Sequence, residues 1–334
     1  MDLSQFPRVA LGHWPTPLEP MDRLQAHLGP ACPKLWVKRD DCSGLATGGN
    51  KTRKLEFLMG EALGERADVV VTFGAVQSNH CRQTAAAAAK LGLECDLILL
   101  DMVHGREPAY ATSGNVMLDK LLGARLHQTS PAAAQVKLQE LLNKHEMAGR
   151  RPYVVPLGGS NATGALGYVA AYRELGLQCA DQNVTVSTIM HAVSSGGTQA
   201  GLVAGAAFYD HRTKIIGVNV SRPDGAGSAA NVREIAREVL ERLDGVPPGL
   251  DRRVEVLDGY LGPGYGIPNE ATREAISLAA KYEGLLLDPV YSGKAFAALI
   301  AMARDGQFGA DETIVFLHTG GNAVLSAYAG EIGV

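Results

Sequence analysis

A chain of 334 residues with 31 Lys+Arg against 35 Asp+Glu, net charge −4, is long enough for two domains. That charge gives no electrostatic reason to expect nucleic acid or an anionic membrane as partner, and no apolar stretch is as long as a membrane span. The five cysteines (Cys32, Cys42, Cys81, Cys95, Cys179) contain no Cys-x-x-Cys, which argues against a zinc site or a disulfide framework; with no basic start and apolar run at the N-terminus, a cytoplasmic location is expected.

Short Val/Ile-rich runs predict strands at 68–73, 95–100, 153–156, 188–193, 214–220 and 312–318. Amphipathic or alanine-rich stretches between them predict helices at 83–91, 132–145, 201–209 and 231–243, with the alanine run 85–89 as helix rather than linker. The Gly/Ala/Ser-rich segment 222–230 is expected to be a surface loop. Alternating strand and helix predicts an α/β protein with largely parallel sheets. No Pro/Gly linker separates two halves, so a second domain would be an insertion. Four predicted strands run into Gly/Ser/Thr/Asn clusters at 74–79, 158–163, 194–198 and 319–322, at the carboxyl ends where open α/β sheets bind ligands.

The most informative of the motifs is Gly48-Gly49-Asn50-Lys51-Thr52-Arg53-Lys54. The glycines allow close approach of backbone to a ligand, and a helix N-terminus disfavours a nearby ammonium, pushing Lys51 toward the neutral amine that a nucleophile needs. The plainer alternative is a basic helix end in solvent. In Ser194-Ser195-Gly196-Gly197-Thr198-Gln199, a glycine-rich turn between strand and helix offers N–H groups and hydroxyls to a phosphate. It lacks the Walker lysine and the G-x-G-x-x-G spacing, which weighs against a nucleotide. Gln77-Ser78-Asn79-His80 places polar groups after another strand, with His80 read as scaffolding rather than base. Thr319 follows the last strand, and Tyr265 and Tyr291 sit in Gly/Pro loops where a phenol faces either a ligand or the edge of the core. A phosphate cradle, a reactive lysine and polar groups aimed at a ring are what pyridoxal 5′-phosphate requires.

The chain resembles the fold-type II pyridoxal-phosphate enzymes, the group containing 1-aminocyclopropane-1-carboxylate deaminase, D-cysteine desulfhydrase and L-cysteate sulfo-lyase. The residues that carry the resemblance are Thr16-Pro17-Leu18-Glu19, Lys38-Arg39-Asp40-Asp41, 48–57, 77–83, 264–268, 288–294 and 318–321, in order along nearly the whole chain. The resemblance implies a tryptophan synthase β-like fold with a larger cofactor domain at 1–54 and 161–334, a smaller α/β domain inserted at 55–160, and a homodimer acting on a small amino acid. It implies Lys51 as the lysine that binds the cofactor covalently, with Asn50 beside it. By the same resemblance Asn79 partners the ring hydroxyl, Ser195, Gly196, Gly197 and Thr198 form the phosphate loop, and Thr319 stands near the pyridine nitrogen. Ser78, Gln77, Asn79, Tyr265 and Tyr291 are implied as substrate contacts, with Ser78, Tyr265 and Tyr291 joining Lys51 in catalysis.

One departure bears on the reaction. The deaminase branch has a glutamate after the tyrosine of its Asp-Pro-Val-Tyr motif, facing the pyridine nitrogen; here that residue is Ser292. A carboxylate would keep the nitrogen protonated and the ring a strong electron sink, whereas a hydroxyl from Thr319 or Ser292 would not. A weaker sink favours β-elimination over ring opening. The expected reaction is therefore cleavage of the C–S bond of a 3-sulfur-substituted alanine to pyruvate and ammonia. The wording of residues 40–53 and 16–24 puts L-cysteate first and D-cysteine a close second, with His80, Arg82 and Arg222 as candidate sulfonate donors. Alternatives are the ring-opening deaminase, a serine/threonine dehydratase, a β-replacement synthase, an amino-acid racemase and, outside this cofactor class, a phosphate-ligand binding protein or a nucleotide enzyme.

Overall fold

Apolar side chains alternate sides along the strands, so each sheet has two faces to cover and recruits helices to both. The computed structural model describes residues 2–106, 108–209, 212–243 and 245–333. Its strands are β1 (Leu18–Pro20), β2 (Lys34–Lys38), β3 (Val69–Ala75), β4 (Glu94–Leu100), β5 (Arg125–Thr129), β6 (Pro152–Val154), β7 (Thr188–Val193), β8 (Lys214–Asn219), β9 (Glu255–Leu257) and β10 (Thr313–Leu317). The main helices are α1 (Asp22–Leu28), α2 (Lys51–Gly64), α3 (Asn79–Leu91), α4 (Gly114–Leu121), α5 (Ala134–Met147), α6 (Ala162–Gln182), α7 (Gly197–Tyr209), α8 (Gly225–Glu241), α9 (Glu270–Glu283) and α10 (Ser292–Arg304).

The strands form two sheets, β1-β2-β10-β7-β8-β9 and β5-β4-β3-β6, parallel throughout except for the β1–β2 pair. The six-stranded sheet draws on both ends of the chain, while the four-stranded sheet comes wholly from residues 69–154. In β10, Val315 and Leu317 join the core shared with α6, α7 and α8, whereas Ile314 and Phe316 face the core shared with α9 and α10. The smaller sheet does the same: Val70 and Leu97 pack toward α2 and α3, Val71 and Ile98 toward α5.

The segment 222–230, expected as a loop, is mostly helix. Asp224 caps α8 by accepting from the N–H of Gly227 at 3.1 Å, and Ser228 and Ala229 are buried; the small residues there serve close packing rather than exposure. Sequence reading also passed over β1, β2, β5 and β9, which are short or carry polar residues at alternate positions. Among the described residues no helix is long and apolar enough to cross a membrane, no His/Cys/Asp/Glu group could hold a metal ion, and the five cysteines are unpaired.

Candidate active site

A cavity of about 250 Å³ opens where the carboxyl ends of strands from both sheets meet, lined by residues that follow β3, β6, β7, β8 and β10. Lys51, the first residue of α2, reaches into it from a loop fixed at three points. Arg82 Nη2 donates to the carbonyl of Gly48 at 2.7 Å, the N–H of Gly49 donates to Ser43 Oγ at 2.8 Å, and that of Asn50 to the carbonyl of Thr319 at 3.0 Å. Gly320 (φ 92°) lies so close that a Cβ on it would come within 2.8 Å of Gly49 Cα.

Lys51 Nζ donates to Asn50 Oδ1 at 2.8 Å, and Asn50 Nδ2 donates to Thr198 Oγ1 at 3.0 Å, tying the lysine to the glycine-rich turn. Burial lowers the Lys51 pKa to about 8, opposed by the Asp288 carboxylate and assisted by the charge of Arg82. Removal from water is thus the larger cause of a neutral amine, beyond the helix-end effect that sequence suggested.

The turn after β7 supplies Ser194, Ser195, Gly196 and Thr198 to the cavity wall. Gly196 is left-handed (φ 88°), and a Cβ there would meet Asn231 Nδ2 at 2.8 Å, so the turn is built for glycine. Gly197, expected in the phosphate loop, stands one step behind, its N–H given to Ser160 Oγ at 3.1 Å. Beside the turn lies a second lysine that sequence reading left unassigned. Lys54 is 1% exposed, and its Nζ donates only to neutral oxygens, the carbonyl of Gly158 at 3.0 Å and Ser160 Oγ at 3.2 Å. Burial, then the charge of Lys51, hold its pKa well below the ordinary value, with no carboxylate offsetting them. Its position three residues after Lys51 on one helix was the available signal.

Ser78 caps α3, its Oγ accepting from the N–H of Cys81 at 3.1 Å, which leaves its hydroxyl proton for the cavity. Asn79 Oδ1 accepts from Arg82 Nη1 at 3.2 Å and from Asn115 Nδ2 at 2.9 Å, so its Nδ2 is the end left to face the ligand space. Gln77, expected to touch substrate, points away. It donates to the carbonyls of Tyr110 and Ser113 and accepts from the N–H of Asn115, a commitment to the small-sheet side that a sequence motif does not reveal. Tyr265 and Tyr291 meet through their hydroxyls, and burial raises the pKa of both, keeping them protonated.

Of the two hydroxyls considered for the pyridine nitrogen, Ser292 is engaged elsewhere. It donates to Asp288 Oδ2 at 2.6 Å, accepts from the N–H of Asp288 at 2.8 Å, and does not line the cavity. Thr319 does line it, and among the described residues its hydroxyl has no protein partner. Asp288, unassigned from sequence, caps the start of α10 through the N–H groups of Val290, Tyr291 and Ser292 and reaches the cavity floor.

The three candidate sulfonate donors separate. The guanidinium of Arg82 is held by Asn79, Asn115 and Gly48 and lies outside the cavity lining. His80 is buried and neutral: Thr72 Oγ1 donates to the carbonyl of Val155, so it accepts from His80 Nε2 at 2.8 Å, and Nδ1 keeps a lone pair. Arg222 alone sits exposed at the mouth.

A buried cation without an anion, a glycine turn with room for an oxyanion, a free amide N–H and a free hydroxyl fit a phosphorylated pyridine aldehyde. Residues 9–320 match the family described as pyridoxal-phosphate dependent enzyme, and the chain belongs to that family; its cofactor is pyridoxal 5′-phosphate. Membership removes the non-cofactor alternatives raised from the sequence. A protein of Klebsiella pneumoniae subsp. pneumoniae described as D-cysteine desulfhydrase is 45% identical over 333 residues, 98% of each chain. Among solved structures, one described as an ACC deaminase homologue superposes with a TM-score of 0.88 at 37% identity, covering 99% of this chain and 96% of that one. A hydrogen sulfide-producing enzyme of Fusobacterium nucleatum shares the fold, with a TM-score of 0.67 at 17% identity over 93% and 94% of the two chains.

Proposed function

We propose that this chain is a carbon–sulfur lyase that eliminates sulfide from D-cysteine, giving pyruvate and ammonia. The observation that carries this choice of leaving group is the state of the candidate donors. Arg82 is committed to the scaffold, His80 is neutral, and Lys51 and Lys54 serve the cofactor in this reading, so a permanently charged sulfonate would find no further fixed cation inside the cavity. The resemblance to the Klebsiella desulfhydrase supports the same reading.

Pyridoxal phosphate, when bound, supplies the electron-withdrawing ring that acidifies the α-proton of an attached amino acid. In this reading Lys54, Ser195, Gly196 and Thr198 hold its phosphate, Asn79 Nδ2 its ring hydroxyl, and Thr319 the neighbourhood of its nitrogen. Lys51 would hold the cofactor's aldehyde, and its neutral amine is placed to take the α-proton; Ser78 and Tyr291 are the alternative bases for the other enantiomer. The Cα–H and Cβ–S bonds break and a C=C bond forms between those carbons. The phenol pair Tyr265–Tyr291 has an O–H to give the departing thiolate. Water then converts the released enamine to pyruvate and ammonia, with no change in redox state.

The second reading, sulfite from L-cysteate, rests on Arg222, whose guanidinium at the mouth is available to a sulfonate. We further propose a homodimer in the cytoplasm, with residues 55–160 as the inserted domain. The test is a panel of D- and L-cysteine, D- and L-cysteate, D-serine, 3-chloro-D-alanine and the cyclopropane amino acid, with pyruvate, 2-oxobutyrate, sulfide and sulfite each quantified. Equal sulfide and pyruvate from D-cysteine is expected. Sulfite from L-cysteate alone would select the second reading, and 2-oxobutyrate without sulfide would overturn both.

A further inference from the structure

Behind the cavity wall, the packing of α3 on α4 buries opposite charges whose polar atoms are incompletely satisfied. Asp119 on α4 is 0% exposed, and neither of its carboxylate oxygens has a hydrogen-bond partner. Arg82 on α3 is equally buried; its two Nη atoms are used on Asn79, Asn115 and Gly48, while Nε has no partner. Asn115 and Asp119 are one turn apart on α4 and share a face. Among the described residues no ion pair within 4 Å joins Asp119 to Arg82; across the shared α3–α4 face, burial pushes Asp119 up to about 7 with Arg82 opposing, and lowers Arg82 to about 10 with Asp119 opposing. The remaining titratable groups near Asp119 are the thiols of Cys81 and Cys95.

What Arg82 controls reaches the cofactor. A guanidinium has donors only, so every group it touches must turn an oxygen toward it. Asn79 and Asn115 both do, and Asn115 Nδ2 is then directed to the carbonyl of Gln77 at 3.0 Å and to Asn79 Oδ1 at 2.9 Å. The same cation anchors the carbonyl of Gly48, three residues ahead of Lys51. One buried charge thereby sets which end of the Asn79 amide faces the cavity and where the Lys51 loop begins.

We propose that Asp119 is the counter-charge of Arg82 and so a positioning residue for the cofactor, acting through Arg82 on Asn79 and on the loop carrying Lys51. Asp119 does not line the cavity. The proposal rests on the reading of Asn79 as a cofactor contact.

The experiment measures the dissociation constant of pyridoxal phosphate and the pH midpoint of the visible absorbance of loaded protein, for wild type, Asp119→Asn, Asn79→Ala and the double variant. Asp119→Asn should weaken binding about tenfold, the scale expected when a buried positioning cation loses its opposing charge, and move the midpoint to lower pH, since a negative charge has been removed. In the Asn79→Ala background the same change should cost measurably less than in the wild type, because only the route through the Gly48 loop then remains and interacting residues are non-additive. Asp119→Glu should restore both quantities. Asp119→Ser, which also removes the charge but leaves room for water, replaces Asp119→Asn if that variant does not fold. Unchanged affinity and midpoint, or strict additivity with Asn79→Ala, would overturn the proposal. Wild-type protein that took up no cofactor would instead sink the site assignment beneath it.

Discussion

Arg53 and Lys54 follow one another on α2, and both are almost wholly removed from water, at 3% and 1% exposed. Arg53 faces away from the cavity into a network in which charge is balanced. Its guanidinium meets Asp40 at 2.8 and 2.9 Å and Glu174 at 2.8 and 3.0 Å, Lys38 completes Glu174, and Tyr168 donates to Asp40 at 2.5 Å. Burial alone would raise the Asp40 pKa, yet Arg53 holds it below the ordinary value. On the cavity face of the same helix, Lys51 and Lys54 have amide, hydroxyl and carbonyl partners and no carboxylate in contact. A buried charge is tolerated when paired. One face is therefore scaffold complete in itself, and the other awaits an anion from outside.

That contrast is open to attack from either side. Lys51→Ala should cut pyruvate formation by at least about a thousandfold, since it removes both nucleophile and base; turnover near the wild-type rate would end the scheme. Arg53→Met should leave Asp40 without its cation and Glu174 with Lys38 alone, and lower stability by about 3–5 kcal/mol in urea unfolding, with cofactor binding in the surviving folded fraction unaffected. Lys54→Met should do the reverse, weakening cofactor binding by about ten- to a hundredfold through loss of a charge-assisted phosphate contact. Its apoprotein should be no less stable, and a stability loss like that of Arg53→Met would erase the distinction between the faces.

The pH dependence follows from the lowered pKa values. A lysine whose folded pKa is depressed binds fewer protons folded than unfolded, so apoprotein stability should rise with pH from about 8, the Lys51 value, toward the unfolded-lysine range. Lys54→Met should flatten that rise. Cofactor uptake, which needs the neutral amine of Lys51, should speed up through about pH 8 in stopped-flow absorbance. The smallest effect is expected for Ser292→Ala, about 1 kcal/mol of stability from its bond to Asp288, with little change in rate.

The alternation of strand and helix, and the polar clusters after β3, β7 and β10, were legible because period and glycine content are local properties. Lys51, Ser78, Asn79, Ser195, Gly196, Thr198, Tyr265, Tyr291 and Thr319 all reach one cavity. What escaped was set by distant parts of the chain. Gln77 lies in the right motif, yet the carbonyls of Tyr110 and Ser113 draw it away. Lys54 looked like one more surface cation until Gly158 and Ser160 closed over it. Asp288 gains its importance only because α10 begins beneath the cavity, and no local pattern announces that a carboxylate such as Asp119 will be buried without a partner. The segment 222–230 misled through composition, since small residues suit a tightly packed helix as well as a loop.

The place of β10 has a bearing on how the protein comes into being. It lies between β2 and β7, so the middle of the six-stranded sheet is synthesised after all its neighbours, and the contact of Gly320 with Gly49 closes a span of some 270 residues. The four-stranded sheet, by contrast, is complete once residue 154 has emerged. On the ribosome the smaller sheet can settle while β1 and β2 still lack their central neighbour, and the vitamin-binding pocket is assembled only after β10 has emerged.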